Sequence, residues 1–330
     1  MRTSSCEFGV SMSTSSPSQF VWDEEKPPLV LVGPTAVGKT EVAICLAQVL
    51  GAEIINADSQ QVYRRLDVGT AKPTSEERKR ATFHLCDFLE PTEQYNAAFW
   101  KRDAENVLNE IAGRGGRAIF CGGTGMFLKA LLEDWSLAET PAKPEIRDQL
   151  KAELEAQGVN ALHAELLEID PETALRIHPN DPVRIIRALE VYRTTGKPLS
   201  SQRDELKRRP SVQVGLTMDR ATLYAKIEAR VLTMFEKGWI EETVSLRDSG
   251  LSDESPGLRC LGYKEICAYL RGEMDFAETV QIIQRNTRRY AKRQWTWFNA
   301  DRNIHWIDIT HLNSAEATEA VLNVLRETPS

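Results

Sequence analysis

Gly33-Pro34-Thr35-Ala36-Val37-Gly38-Lys39-Thr40 fits the phosphate-loop pattern G-x-x-x-x-G-K-[ST]. A short apolar run, Leu29 to Val32, precedes it and reads as a buried strand. A helical pattern, 40–50, follows it and is closed by Gly51. Between a strand and a helix, such a loop turns successive backbone N–H groups toward an anion at a helix N-terminus, where the helix dipole adds positive potential. Lys39 brings a full charge to the phosphates, and the Thr40 hydroxyl is placed to help hold a magnesium ion. The loop predicts a polyphosphate ligand without saying which one.

Outward from the loop, strand and helix alternate. Strands are predicted at 29–33, 52–57 and 117–121, and helices at 40–50, 75–82, 96–112 and 125–133. Alternation of this kind predicts a parallel sheet with helices on both faces and the site at the C-terminal edge of its strands. From about residue 137 the character changes. Leu137 to Pro144 reads as a linker, and helices are predicted at 145–157, 159–168, 171–177 and 182–195. The last has Asp181 as N-cap and Pro182 at its first position. Val212 to Met218 returns to strand composition, one long helical stretch is predicted over about 220–248, and 303–309 reads as a final strand. The expected fold class is α/β: a P-loop NTPase-like parallel sheet core with a helical insertion domain. The core covers 28–136 and 211–330, the insertion 137–210, and the serine-rich residues 1–27 read as a disordered tail.

With 330 residues, 42% of them hydrophobic and 27% charged, the chain has the composition of a soluble globular protein. No apolar run approaches the roughly 20 residues of a membrane span, and the tail has no secretory signal. None of the six cysteines forms C-x-x-C, and no histidine stands near a pair at zinc spacing. That usage points to free thiols in the reducing cytoplasm. The net charge of −7 argues against a general nucleic-acid binder, but two segments are locally basic. One is 184–209, with Arg184, Arg187, Arg193, Lys197, Arg203, Lys207, Arg208 and Arg209; the other is Arg285, Arg288, Arg289, Lys292 and Arg293. Two readings stay open for such runs, a polyanion site or a solvated helix face.

A nucleotide hydrolase would carry an apolar strand ending in Asp to hold magnesium through water. The corresponding strand here runs into Cys121-Gly122-Gly123-Thr124-Gly125, with no carboxylate. A carboxylate instead ends the second strand, at Asp58 in Asn56-Ala57-Asp58-Ser59-Gln60-Gln61-Val62-Tyr63. Beside a phosphate loop it is placed to take a proton from an acceptor; the bland alternative is a helix N-cap.

These blocks, with Asp67 to Pro73, His178 to Arg184, Arg259 to Lys264 and Lys292 to Phe298, run in order from about residue 28 to 310. Together they resemble the bacterial tRNA dimethylallyltransferase (tRNA isopentenyltransferase) family. The resemblance implies transfer of a dimethylallyl group from dimethylallyl diphosphate to the exocyclic amine of the adenosine 3′-adjacent to the anticodon. The diphosphate would lie on Gly33, Pro34, Thr35, Ala36, Val37, Gly38, Lys39, Thr40 and Arg230. Magnesium is the implied cofactor. Asp58 is implied as general base, and Thr124 as a second residue at the reaction centre. The tRNA anticodon stem-loop is assigned to Asp58, Ser59, Gln60, Gln61, Thr124 and Arg147, and to Val183, Arg184, Ile185, Ile186 and Arg187. It is further assigned to Arg259, Cys260, Leu261, Gly262, Tyr263 and Lys264, and to Lys292, Arg293, Gln294, Trp295, Thr296, Trp297, Phe298 and Asn299. Apart from the resemblance, Arg230 reads as a surface helix arginine, and Trp295, Trp297 and Phe298 either stack on bases or pack, with packing favoured for at least one. A monomer with no membrane partner is expected. Two rivals remain: an adenylate isopentenyltransferase acting on free AMP, ADP or ATP, and a P-loop small-molecule kinase or nucleotide-gated RNA-binding protein.

Overall fold

The computed structural model describes residues 27–135, 144–202 and 208–327. Most of the expected tail, most of the Leu137–Pro144 linker, and Arg203 and Lys207 of the first basic run lie outside the described residues. The first part runs β1 (Leu29–Val32), α1 (Lys39–Leu50), β2 (Ala52–Asn56), α2 (Ser75–Arg80), β3 (Phe83–His84), α3 (Ala97–Gly113), β4 (Arg117–Cys121) and α4 (Gly125–Leu132). A helical stretch follows: α5 (Pro144–Gln157), α6 (Val159–Ile169), α7 (Pro171–Arg176) and α8 (Pro182–Thr195). The chain then returns through β5 (Val212–Thr217), α9 (Arg220–Glu236), α10 (Trp239–Asp248), α11 (Tyr263–Leu270), α12 (Phe276–Asn299), β6 (Ile304–Asp308) and α13 (Ser314–Glu327).

The strands form one sheet in the order β3-β2-β4-β1-β5-β6, with every pairing parallel. All four residues of β1 are buried, as a central strand covered on both faces requires. Alternate residues face opposite layers. Leu29 and Leu31 join Val214 and Leu216 in a core that includes α1 and α13, while Val30 and Val32 join Phe120 against α3 and α4. The chain leaves β1 for β2 on the β4 side and later reaches β5 on the other side of β1, so the crevice at the C-terminal end of β1 is the topological switch point where such sheets bind ligands. The phosphate loop is the segment that fills it.

The helical stretch has a core of its own. Leu150, Leu162, Leu166, Ala174, Ile185, Ile186, Ala188 and Leu189 pack together without a residue from the sheet. Asp181 caps α8 as its sequence signature requires, its carboxylate accepting from Arg184 N at 3.1 Å. A third core, under α9 to α12, takes in Val62, Tyr63 and Leu66 from the segment after β2.

Several elements differ from expectation. The stretch expected as one helix over 220–248 is two, because Gly238 sits at φ 89°, a left-handed conformation that ends α9 and lets Trp239 turn inward. The two-residue β3 is too short to leave a sequence period. Helices α11, α12 and α13 are not among the predicted elements; the 24-residue α12 buries six side chains, two of them the polar Thr279 and Gln294.

Candidate active site

The loop from β1 to α1 forms one wall of a cavity of about 900 Å³. Gly33 has φ 143°, and a Cβ there would lie 2.4 Å from the Leu216 carbonyl oxygen, so only glycine fits between β1 and β5. Ala36 is a non-glycine residue at φ 66°. A left-handed residue with a side chain costs about 1–3 kcal/mol and persists only where its surroundings hold it. Lys39 folds back over the loop and donates to Gly33 O at 2.9 Å and Pro34 O at 2.7 Å. Burial lowers its pKa to about 8, against opposing pulls from Cys121 and Asp58. The Thr35 N–H is not free for an anion: it donates to Gln294 Oε1 at 2.8 Å. Val37 N donates to Pro34 O at 3.4 Å, which leaves the amides of Ala36 and of Gly38 to Thr40 as the candidate cradle.

The opposite wall is built at the end of β2. Asn56 is buried, and its amide donates to Leu85 O and Asp58 O while its Oδ1 accepts from Asp58 N at 3.1 Å. This bracket fixes the backbone that carries Asp58. The Asp58 Oδ1 accepts from Gln60 N at 2.8 Å, inside a turn. No helix begins between the end of β2 and Ser75, so Asp58 is not a helix N-cap. Its carboxylate lines the same cavity as Lys39, Thr40 and Arg230. Arg230, half-buried on α9, has its pKa lowered by burial while Asp58 and Glu77 pull it back up.

The loop after β4 closes the site from the side. Thr124 N donates to Ala57 O at 3.0 Å. Its hydroxyl accepts from Ser59 N at 3.0 Å and lies 3.3 Å from Ser59 Oγ. Thr124 thus ties the β4 loop to the residue after Asp58, and its hydroxyl is engaged there. Cys121 occupies the end of β4, lines the cavity, and has its thiol pKa pushed up to about 11 by burial.

Sequence reading missed three groups here. Lys72, whose side chain is 2% exposed, is held by Asp67 at 2.5 Å and Asp87 at 2.6 Å, and all three line the cavity. Asn56 braces Asp58. Tyr290 of α12 lies beside Thr124 and Gln294, its hydroxyl pKa raised by burial and by Asp58. Lys72 and Tyr290 are brought in by tertiary packing, whereas Asn56 stands two residues before Asp58 at the end of β2. Only the Asp67–Pro73 block, quoted for resemblance, carried a trace of Lys72.

Many residues expected at an RNA surface do face outward. Arg147, Val183, Arg184 and Arg187 are exposed on the helical part, Arg259 and Lys264 near α11, and Lys292, Arg293, Trp295, Thr296, Trp297 and Asn299 on α12. Ser59, Gln60, Gln61, Cys260 and Leu261 are partly exposed. Six of the residues expected at the RNA surface are instead buried in the chain. Ile185 and Ile186 belong to the helical core, because they fall on the inner face of α8. Gly262 and Tyr263 are buried, the tyrosine hydroxyl donating to Glu242 at 2.6 Å to anchor the 67–69 backbone. Phe298 packs against the sheet, and Gln294 bonds internally at both ends.

A phosphate loop at the switch point of a parallel sheet, with a carboxylate ending β2 and none ending β4, defines a P-loop group-transfer fold outside the usual nucleotidase pattern. Residues 61–301 match the family described as IPP transferase, and residues 29–87 match isopentenyl transferase. The chain belongs to the IPP transferase family. It is 43% identical over 309 residues to the tRNA dimethylallyltransferase of Symbiobacterium thermophilum, covering 91% of this chain and 95% of the relative. It is 44% identical over 289 residues to that of Geobacter sulfurreducens, covering 86% and 92%. Among solved structures it resembles a full-length tRNA isopentenylpyrophosphate transferase of Bacillus halodurans, at 39% identity, TM-score 0.67, and 92% and 97% coverage. It also resembles a eukaryotic dimethylallyltransferase acting on tRNA, at 26% identity, TM-score 0.78, and 92% and 80% coverage.

Proposed function

We propose that this chain is a tRNA dimethylallyltransferase. It transfers the dimethylallyl group of dimethylallyl diphosphate to the exocyclic amine of the adenosine 3′-adjacent to the anticodon, and releases diphosphate. The observation that carries the reading is one cavity lined by Lys39, Thr40 and Arg230 and also by the Asp58 carboxylate, with the uncharged Cys121 ending β4. Diphosphate leaves toward the cationic wall, and the proton leaves toward Asp58.

The amine nitrogen attacks the allylic carbon as the carbon–oxygen bond breaks, its electrons going to diphosphate. The attacking nitrogen, now positively charged, gives one proton to Asp58 Oδ2, which has no hydrogen bond among the described residues. Lys39, Arg230 and the loop amides hold the charge that grows on the leaving group. Lys39 is already turned over the loop and half-buried, so it needs little reorganisation. The Thr40 hydroxyl, with water and the diphosphate's own oxygens, suits magnesium, which keeps several waters and takes few protein ligands. Bound there, magnesium would neutralise diphosphate charge. Among the described residues no three His, Cys, Asp or Glu side chains are grouped as an independent metal cage.

An adenine inside a folded anticodon loop reaches such a cavity by leaving the stack. Exposed Arg184, Arg187, Lys292 and Arg293, with Trp295 and Trp297, supply the basic and stacking groups for single-stranded RNA. They favour tRNA over free AMP as the acceptor. We further propose a cytoplasmic monomer. Five thiols among the described residues are free, and no described helix is long and apolar enough to cross a membrane. Incubation with dimethylallyl diphosphate and unmodified tRNA, followed by nucleoside mass spectrometry, tests the assignment. Prenylation of AMP with none of tRNA would replace it by the free-nucleotide activity.

A further inference from the structure

We propose that Gln294 is a positioning residue for the diphosphate loop, not an RNA contact. The proposal rests on the diphosphate-binding role given to that loop above. Gln294 is only 5% exposed although it sits on a helix whose next residues, Trp295 and Thr296, face solvent. Both ends of its amide are used. Oε1 accepts from Thr35 N at 2.8 Å, and Nε2 donates to Gly123 O at 3.0 Å. One side chain therefore spans the loop after β1 and the loop after β4, the two loops that border Lys39 and Thr124.

Two further observations show that the bridge is built in. A Cβ on residue 123 would stand 2.0 Å from Gln294 Nε2, so the glycine there is needed to admit the amide. Thr35 immediately precedes Ala36, the left-handed residue of the loop at φ 66°. Anchoring the Thr35 amide opposes relaxation of Ala36 to a right-handed conformation, and strained residues persist only where neighbours over-determine them. Beyond the anchored Thr35 amide, Ala36, Gly38, Lys39 and Thr40 line the cavity. Gln294 lines that cavity beside Lys39. Its contribution is to hold the donors in place before the anion arrives, which lowers the ordering cost of binding.

The test compares Gln294→Met with the unaltered chain. Methionine keeps the length and burial of the side chain and removes both hydrogen bonds. Three quantities are measured: affinity for inorganic diphosphate, KM for dimethylallyl diphosphate, and Kd for unmodified tRNA. The expected result is a loss of about 10-fold in the first two, with tRNA Kd unchanged within about twofold. A weakened tRNA Kd with diphosphate affinity intact would make Gln294 an RNA contact and overturn the proposal, as would no change in any of the three. Gln294→Glu supplies a second readout and carries the test alone if the methionine variant is unfolded by circular dichroism. Its carboxyl still accepts from Thr35 N–H, and only its protonated form donates to Gly123 O. Its diphosphate defect relative to the unaltered chain should grow from about pH 5 to about pH 8; a defect flat across that range would overturn the proposal. Diphosphate binding requires no prenyl transfer. Failure of the unaltered chain to modify tRNA would therefore fault the proposed function while leaving the Gln294 result standing.

Discussion

The molecule carries positive charge in two contrasting ways. At the phosphate loop, Lys72 is buried and Lys39 and Arg230 are half-buried, the two lysines fastened by carbonyls or carboxylates. On the helical part, the Arg184 side chain is 69% exposed and its nearest carboxylate oxygen, on Asp181, is 3.5 Å away. Buried cations act in a low dielectric on a ligand held a few ångströms away, and bulk salt screens them little. Exposed cations act on RNA phosphates through water and release counterions, so their effect is salt-dependent. The first arrangement suits stabilisation of a leaving group at a fixed point. The second suits gathering a large polyanion whose backbone lies at several points.

Six substitutions test that contrast. Asp58→Ala should lower single-turnover prenyl transfer by about 10²-fold or more while tRNA affinity by filter binding is largely kept. Unchanged turnover would remove Asp58 from the mechanism. Lys39→Met should weaken inorganic diphosphate binding by about 10²-fold with tRNA affinity unaffected. In the unaltered chain the same binding should fall as pH rises through about 8, where free Lys39 loses its proton. Calorimetry across that range checks the sign: a diphosphate affinity that rises above that pH would contradict the buried-cation account.

On the helical side, Ile185 and Val183 separate packing from contact. Ile185→Ala should cost about 2–5 kcal/mol of stability of the helical part by chemical denaturation. Val183→Ala, at a residue 69% exposed, should stay within about 0.5 kcal/mol. The smallest effects belong to the exposed cations. Arg184→Ala and Lys292→Ala should each weaken tRNA binding a few-fold and reduce the slope of log affinity against log salt by about one. A salt slope left unchanged by both would return those residues to a solvated helix face.

The parts of the site legible in sequence are those made by contiguous residues. The phosphate loop is one run of chain whose function follows from its local backbone, and Asp58 stands two residues beyond the end of β2. The helical stretch α5 to α8 showed itself by composition, and Asp181-Pro182 marked the start of its last helix. What stayed hidden depends on which face of a helix turns inward. Ile185 and Val183 are two residues apart in a block that reads alike throughout, yet one is core and the other solvent-exposed. Tyr263 and Gln294 sit among basic and aromatic neighbours that suggest RNA, and tertiary packing turns both inward. Gly238 reads as an ordinary helical glycine until its left-handed backbone divides the expected helix in two. Tyr290 reaches Thr124 only because α12 crosses the loop that follows β4.

In the proposed reaction the cationic wall and Asp58 act together, with diphosphate leaving on one side and an RNA adenine entering on the other. The most direct test is mass spectrometry of nucleosides and of anticodon-loop fragments from unmodified tRNA incubated with dimethylallyl diphosphate. The account predicts a dimethylallyl adduct on the adenosine 3′ to the anticodon, formed by the unaltered chain and reduced about 10²-fold or more by Asp58→Ala. An adduct on free AMP alone, or consumption of ATP without any prenylated nucleoside, would contradict it.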